Sequence, residues 1–322
     1  MTTKKNDLDA LKKLEDEQKG IEQESTLKIT EDNNLSTEKT SMLDGYKVID
    51  RYDLPQHGDL YPESWEFAYR CPTSKEVANF STLNEQDQPA IIVAIEDLIR
   101  RCVVIFDTEK NRQVSAGEIN DSHRTFFLLL IRDFYLPGNP IGYDSACSLC
   151  HEQMTNVLAA SSLKYHELNE KLLGAFDGRR FILEGMIEDP DEEPIEFLIP
   201  TIELSSRIFK YIVRVYRENS NDREKKEDKI VFDKQFLLFA PYLYVTGKET
   251  IKELIQKYKA LQKNEDRFKA YLEIISKLKL DNEDNIDTTC PHCRSEEVAD
   301  IRFPGGWKGF FVSKKSTAGY FD

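Results

Sequence analysis

No run of apolar residues in this sequence comes near the ~20 needed to span a bilayer; FFLLLI (126–131) is among the longest. The opening stretch, MTTKKNDLDALKKLEDEQ, holds no apolar segment of the kind a secretory signal requires. A surplus of positive charge is missing too: 44 Lys and Arg stand against 58 Asp and Glu, a net charge of -14. General nucleic-acid binding rests on neutralising phosphates with excess cations, so this composition speaks against it. There is no Gly-x-Ser-x-Gly, no Gly-rich phosphate loop and no Gly-x-Gly-x-x-Gly. VTGKET has a Gly-Lys pair without the leading glycine, and HEQMT puts Thr155 where a metalloprotease helix needs its second histidine. His166 reads as helix surface, and Asp189, Asp191, Glu192 and Glu193 as a solvated turn. An enzyme is left without a constellation to stand on. The expectation is a cytosolic, non-enzymatic chain with no membrane association and no small-molecule substrate.

Six cysteines are present, and in a reducing compartment they should be thiols or metal ligands, not disulfides. Four fall into two C-x-x-C pairs, Cys147 and Cys150 in CSLC and Cys290 and Cys293 in CPHC; Cys71 and Cys102 are single. Cys-Pro-His-Cys by itself is an arrangement that thiol oxidases use. That reading needs a βαβ framework around and after the motif, and 294–322, with Pro304, Gly305 and Gly306, leaves no room for one. Two pairs together supply the four thiolates of a tetrahedral zinc site, because two intervening residues let one tight turn aim both sulfurs at one ion. Ordinary zinc ribbons separate their pairs by ~15–20 residues, whereas these lie roughly 140 apart. The site would then be a long-range staple, pinning the C-terminal segment onto the middle of the chain. Two half-sites completed by His151, His292 or a partner chain remain open, as does no metal at all. Four bound thiolates leave no position for a substrate, so such a zinc would be structural.

The first 44 residues contain no aromatic side chain and are dense in Lys, Glu, Asp, Asn, Ser and Thr. They read as a disordered tail carrying a thin stripe of Leu8, Leu11, Leu14 and Ile21. Residues 45–220 read as a core with the first cysteine pair, 221–230 as a charged linker, and 231–322 as a helical hairpin followed by a zinc knuckle and an aromatic hairpin. Within the core a strand is expected at 64–70, then a helix at 87–101 with Pro89 in its first turn and Ile91, Ile92, Ile95, Leu98 and Ile99 on one face. CVVIFD follows as a buried strand. A second helix is capped by Asp121 or Ser122 and stopped by Pro137 and Gly138. Strands with turns at Asp177-Gly178 and at 189–194 precede a helix over 204–222. Thr246 and Glu249 have capping-box spacing for a helix through Ile251, Leu254, Ile255, Tyr258 and Leu261. Its partner, 265–280, carries Phe268, Tyr271, Leu272, Ile275 and Leu278 as packing residues. DNEDNID reads as an acidic linker to the second cysteine pair. Trp307, Phe310 and Phe311 read as core-packing residues of a hairpin pressed on the zinc site. The fold class is α+β: mixed helices and short strands, with the C-terminal segment tied to the central region by the four-cysteine zinc site.

The order of these motifs resembles the baseplate hub subunit and hub-assembly proteins of T-even-type tailed bacteriophages. LPQHGDLY (54–61) is similar to that family's early Leu-Pro-Ser-x-Gly-x-x-Tyr loop, and YRCPTSKEV to its Pro-Thr-x-x-Glu element. LLLIRDFYLPG is close to its Leu-x-x-Arg-x-x-Tyr-Gly pattern, with the first C-x-x-C soon after; FLIPTIELSSR and the terminal Cys-Pro-x-Cys extend the likeness over roughly residues 46–311. Gln56 stands where the pattern has Ser. The resemblance implies a non-enzymatic part in tail construction, with other tail and baseplate proteins as partners, in the host cytoplasm during assembly or in the virion. A different class of reading is a zinc-stabilised regulatory adaptor that binds nucleic acid or polymerase.

Overall fold

The computed structural model describes residues 45–84, 88–168, 176–177, 180–182, 195–221, 234–243, 251–278, 280–303, 306 and 309–311. The expected N-terminal tail, the 189–194 turn, the charged run from 222, Thr246 and Glu249, and Trp307 lie outside them. The described part is α+β. Its first sheet is antiparallel, in the order β1 (Tyr46–Ile49), β2 (Trp65–Arg70), β3 (Val103–Asp107), β4 (Arg112–Val114). Period-2 alternation decides which face is buried: Val103, Ile105 and Asp107 turn inward on β3, and Phe67 lies opposite Ile105.

Between β2 and β3 run α1 (Ser74–Ser81) and α2 (Gln88–Cys102). Thr73 and Glu76 form a reciprocal capping box at the start of α1, and Arg70 donates to both oxygens of the Glu76 carboxylate at 3.0 and 2.8 Å. On α2, Ile91, Ile95, Leu98 and Ile99 are buried as the spacing requires, whereas Ile92 is half-buried. The next helix, α3 (Arg124–Tyr135), departs from the expected cap. Asp121–His123 forms a separate 3-10 turn, no side chain caps α3, and the Asp121 carboxylate takes the Arg124 guanidinium instead. The helix ends at Leu136, ahead of Pro137 and of Gly138 at φ +73°.

Two antiparallel hairpins then matter for the site: β5 (Ile141–Ala146) with β6 (Gln153–Leu158), and, much later, a second that closes on it. Between them lies the second core. Strands β7 (Phe176–Asp177), β8 (Arg180–Ile182) and β9 (Glu196–Leu198) form a small sheet, followed by α4 (Ile202–Asn221), α5 (Lys234–Phe239), α6 (Ile251–Gln262) and α7 (Glu265–Leu278). Phe181 stacks on Phe197 and Phe197 on Tyr271, with centroids 4.9 and 5.4 Å apart, and the Tyr271 hydroxyl donates to Phe239 O at 2.6 Å. Leu254, Ile255, Tyr258, Leu261, Tyr271, Ile275 and Leu278 are buried there as expected; Phe268 and Leu272 are half-buried, and Ile274 fills the remaining position.

Polar contacts join the two cores. Glu96 of α2 is buried and accepts from Ser206 of α4, from Arg100 at 2.9 Å and from Lys210 at 3.4 Å. Arg100 also reaches Glu203 at 3.5 Å, over Gly117, where a Cβ would sit 2.8 Å from both side chains. After α7 the chain leaves the second core and returns to the first. The expected acidic linker, 281–287, instead runs at its end, 285–287, into the strand β10 (Asn285–Thr289), paired with β11 (Glu296–Asp300). Ile286 and its partner Ala299 are buried in the first core, which fixes the register of an otherwise polar strand. Phe303, Phe310 and Phe311 pack there too, against Phe80 and Tyr135. Phe310 and Phe311 are core residues as expected, but they sit on this apolar cluster, not among the cysteines.

Candidate metal centre

The two C-x-x-C pairs occupy equivalent places. Ala146 pairs with Gln153 at the end of one hairpin and Thr289 with Glu296 at the end of the other, so each encloses six residues, CSLCHE and CPHCRS. Both turns are held alike. The Cys147 N–H donates to Glu152 O and the Cys290 N–H to Ser295 O, each at 2.9 Å. The His151 N–H donates to Cys147 O at 3.1 Å and the Arg294 N–H to Cys290 O at 3.0 Å. The residue after each second cysteine is left-handed, His151 at φ +61° and Arg294 at φ +64°. Neither is glycine, so each costs on the order of 1 kcal/mol that another interaction must offset.

Facing one another, the turns bring four sulfurs together. Cys147 Sγ lies 3.6 Å from Cys293 Sγ, Cys150 Sγ lies 3.7 Å from Cys290 Sγ, and all four are within 4.8 Å of one another. Zinc-bound sulfurs about 2.3 Å from the ion at tetrahedral angles would be about 3.8 Å apart. A disulfide would need about 2 Å, and all six cysteines are free thiols. Backbone N–H groups of Leu149 and Cys150 point at Cys147 Sγ from 3.4 and 3.5 Å, the arrangement that stabilises a thiolate in such a turn. The half-site alternatives therefore lose their motive: each pair finds its complement in the other. His151 and His292 are exposed and outside the cluster. Among the described residues no other group of three or more His, Cys, Asp or Glu side chains converges in this way.

The thiols do not ionise alike. Cys293 is held down to about 6 by the hydroxyl and the backbone N–H of Ser295. Cys150 is favoured as thiolate by a backbone hydrogen bond at Glu152, yet burial and the neighbouring cysteines push it up to about 12. Holding all four sulfurs as thiolates at this spacing would take a cation, and the cluster could hold a metal ion that supplies that charge. Cys102, buried in the first core, has its thiol raised to about 12 by burial, while Cys71 is exposed; neither belongs to the centre.

Three residues that sequence reasoning missed surround the sulfurs. The Glu297 carboxylate accepts from Cys147 Sγ at 3.2 Å, Ser148 Oγ at 3.0 Å, Ser295 Oγ at 2.9 Å and the Ser148 N–H at 3.3 Å. These contacts, that of Cys147 foremost, hold its pKa at about 2. Glu297 thus stitches the second hairpin to the turn of the first, and it keeps the Ser148 and Ser295 donors when Cys147 is a thiolate. Of the three, Ser295 carried a signal, as a polar residue two positions after its C-x-x-C pair. No protein-family model, curated protein or solved structure matches the chain, so the centre stands on its own geometry.

Proposed function

We propose that this chain is a hub component or hub-assembly factor of a phage tail baseplate, working through protein–protein contacts around a structural zinc on Cys147, Cys150, Cys290 and Cys293. The observation that carries the structural part is the sulfur geometry. Four ligands from two hairpins fill a tetrahedral site, leaving no coordination position for substrate or water. Such a metal holds surfaces in place. Zinc is the divalent ion best matched to four thiolates in tetrahedral array, with no redox chemistry of its own.

Support for the tail assignment comes from the short motifs shared with that family. Two of them supply buried contacts of the described fold: Tyr61 of LPQHGDLY hydrogen-bonds His123 at the foot of α3, and Arg132 of LLLIRDFYLPG donates to Phe310 O at 2.6 Å. Native mass spectrometry with elemental analysis is expected to find one zinc per chain, and purification from infected cells is expected to bring other tail proteins with it. A stable, metal-free wild-type chain would sink the staple, and a protein that stays solitary through infection would sink the baseplate role. Salt-sensitive retention of nucleic acid on a filter would instead favour the regulatory adaptor.

A further inference from the structure

We propose that the groove beside β1 receives an extended, basic segment of a partner protein, which adds to the first sheet as a further strand. The inference rests on the reading that this chain acts through protein–protein contacts, and it names where one of them is made. β1 is an outer strand, and among the described strands only β2 pairs with it. Lys47 and Val48 are exposed, Val48 by 54 %. With Ile49 they form one wall of a cavity of about 780 Å³. Leu163, Tyr165 and Glu167 line it from the segment after β6, and Phe126 and Leu130 of α3 give it an apolar surface. A strand edge that no described strand covers, beside an apolar trough, is the geometry of strand addition, in which main-chain hydrogen bonds supply affinity and the trough takes alternate side chains.

One end of the groove is rigidly pre-formed. Gln56 and His57 are both left-handed, φ +51° and +52°, a conformation that persists only where its surroundings over-determine it. Here they do. The Arg51 guanidinium donates to the carbonyls of Gly58, Tyr61 and Pro62 at 2.7, 2.8 and 3.1 Å. The Tyr61 hydroxyl accepts from the Asn120 N–H and donates to His123 Nδ1, which leaves the proton of a neutral His123 on Nε2 to reach Gln56 Oε1. Gln56 Nε2 in turn donates to His166 O. Each polar group in the chain has a consistent direction, so the loop bordering the groove is ordered before anything binds, which lowers the entropic cost of docking.

Charge decides what fits. Asp53, Asp59 and Glu167 are exposed around the groove against Lys47 as the one lysine, with His57 and His166 beside them, on a chain whose net charge is -14. An acidic rim steers a basic segment. The probe is the capped peptide Ac-Thr-Lys-Val-Lys-Val-Lys-NH2, added to the full-length, metal-loaded protein and followed by amide NMR shifts. Shifts at 46–49 and at Leu163 are expected, with binding about tenfold tighter than for the glutamate-for-lysine peptide. Methylating alternate peptide nitrogens should abolish binding, and Glu167→Gln should narrow the preference for the basic peptide. Absent shifts at these residues, equal binding of the acidic peptide, or self-association that buries β1 without peptide would each overturn the proposal; the last would assign the groove to a second copy of the chain. A chain that binds the peptide but never accompanies tail proteins refutes the baseplate reading and leaves the groove. One that joins a tail assembly yet ignores the peptide refutes the groove alone.

Discussion

Cys290 and Phe310 fasten one C-terminal stretch to the same central region by unrelated means. At the cysteine centre the apolar content is slight: Cys147, Cys290 and Met154 are buried, with Cys150 and Cys293 beside them. Little hydrophobic area is available around the sulfurs, so at the hairpin tips a bound metal would supply what packing does not, although Ile141, Tyr143, Leu158, Ile286 and Ala299 anchor the hairpins in the first core. At the other fastening, Arg132 is 4 % exposed, donates to Phe310 O at 2.6 Å and to Asn139 O at 2.8 Å, and lies 5.8 Å from the Phe310 ring centroid. Phe310 and Phe311 add tilted and edge contacts with Phe80, 6.0 and 5.3 Å between centroids. Burial lowers the pKa of Arg132, with nearby Asp133 opposing the shift. On the proposed metal reading one fastening would be conditional on an ion; the other is built into the first core. Removing each in turn should therefore give different signatures.

The largest effect is expected from Cys290→Ser. Losing one of four ligands should abolish stable metal binding and destabilise the fold by more than about 4 kcal/mol, since structural zinc sites contribute their binding energy directly to folding. Denaturant titration with equimolar zinc checks the magnitude. Hydrogen exchange should show 141–158 and 285–300 opening while 124–135 stays protected. Uniform loss of protection would mean that the two fastenings are one cooperative unit. Arg132→Met comes second. It keeps the volume but removes the guanidinium that donates to the buried Phe310 O and the part-buried Asn139 O, for an expected cost of about 2–4 kcal/mol. Zinc stoichiometry should stay at one per chain while limited proteolysis releases the Phe310–Phe311 end. If zinc is lost as well, the comparison fails from the other side.

The two fastenings were unequally legible in the sequence. The cysteine pairs announced themselves by spacing, because a metal demands a particular donor set whatever the fold. Their hairpins did not: NIDTT has only Ile286 buried, so its strand character comes from pairing with β11 and closure of the CPHCRS turn, not from propensity. For the same reason DNEDNID passed for a linker. Helices α2, α6 and α7 were readable from their 3.6-residue stripes, which need no knowledge of the partner surface. Arg132 was visible only as a charge inside the apolar run LLLIRDF. That signals a buried partner without naming it, and the partner lies 178 positions away. The Gln56–Tyr61–His123 network was hidden for the same reason: the left-handed backbone that aims Gln56 inward has no glycine at 56 or 57 to betray it.

The smallest expected effect concerns what props the metal-independent fastening. Phe80, which receives both C-terminal aromatics, sits on α1, and α1 begins at the Thr73–Glu76 box braced by Arg70. The hydrogen bonds from Arg70 hold the Glu76 carboxyl down to about 2, helped by the backbone N–H and hydroxyl of Thr73. A carboxylate whose folded pKa lies below its unfolded value of 4.5 stabilises the fold fully above that value. The contribution is lost as the pH falls toward 2. The pair is partly solvated, so about 1 kcal/mol is the realistic size after screening. Glutamine keeps the length and the capping role of this position but not the charge, so Glu76→Gln isolates the ion pair. With the metal chelated, wild type should exceed Glu76→Gln by that amount at neutral pH in urea unfolding, and the two curves should converge as the pH approaches 2. A gap that survives at pH 2 would place the effect in packing of the side chain, not in its charge. No gap at pH 7 would mean that α1 holds Phe80 without help from Arg70, leaving the aromatic contacts and Arg132 to carry the second fastening alone.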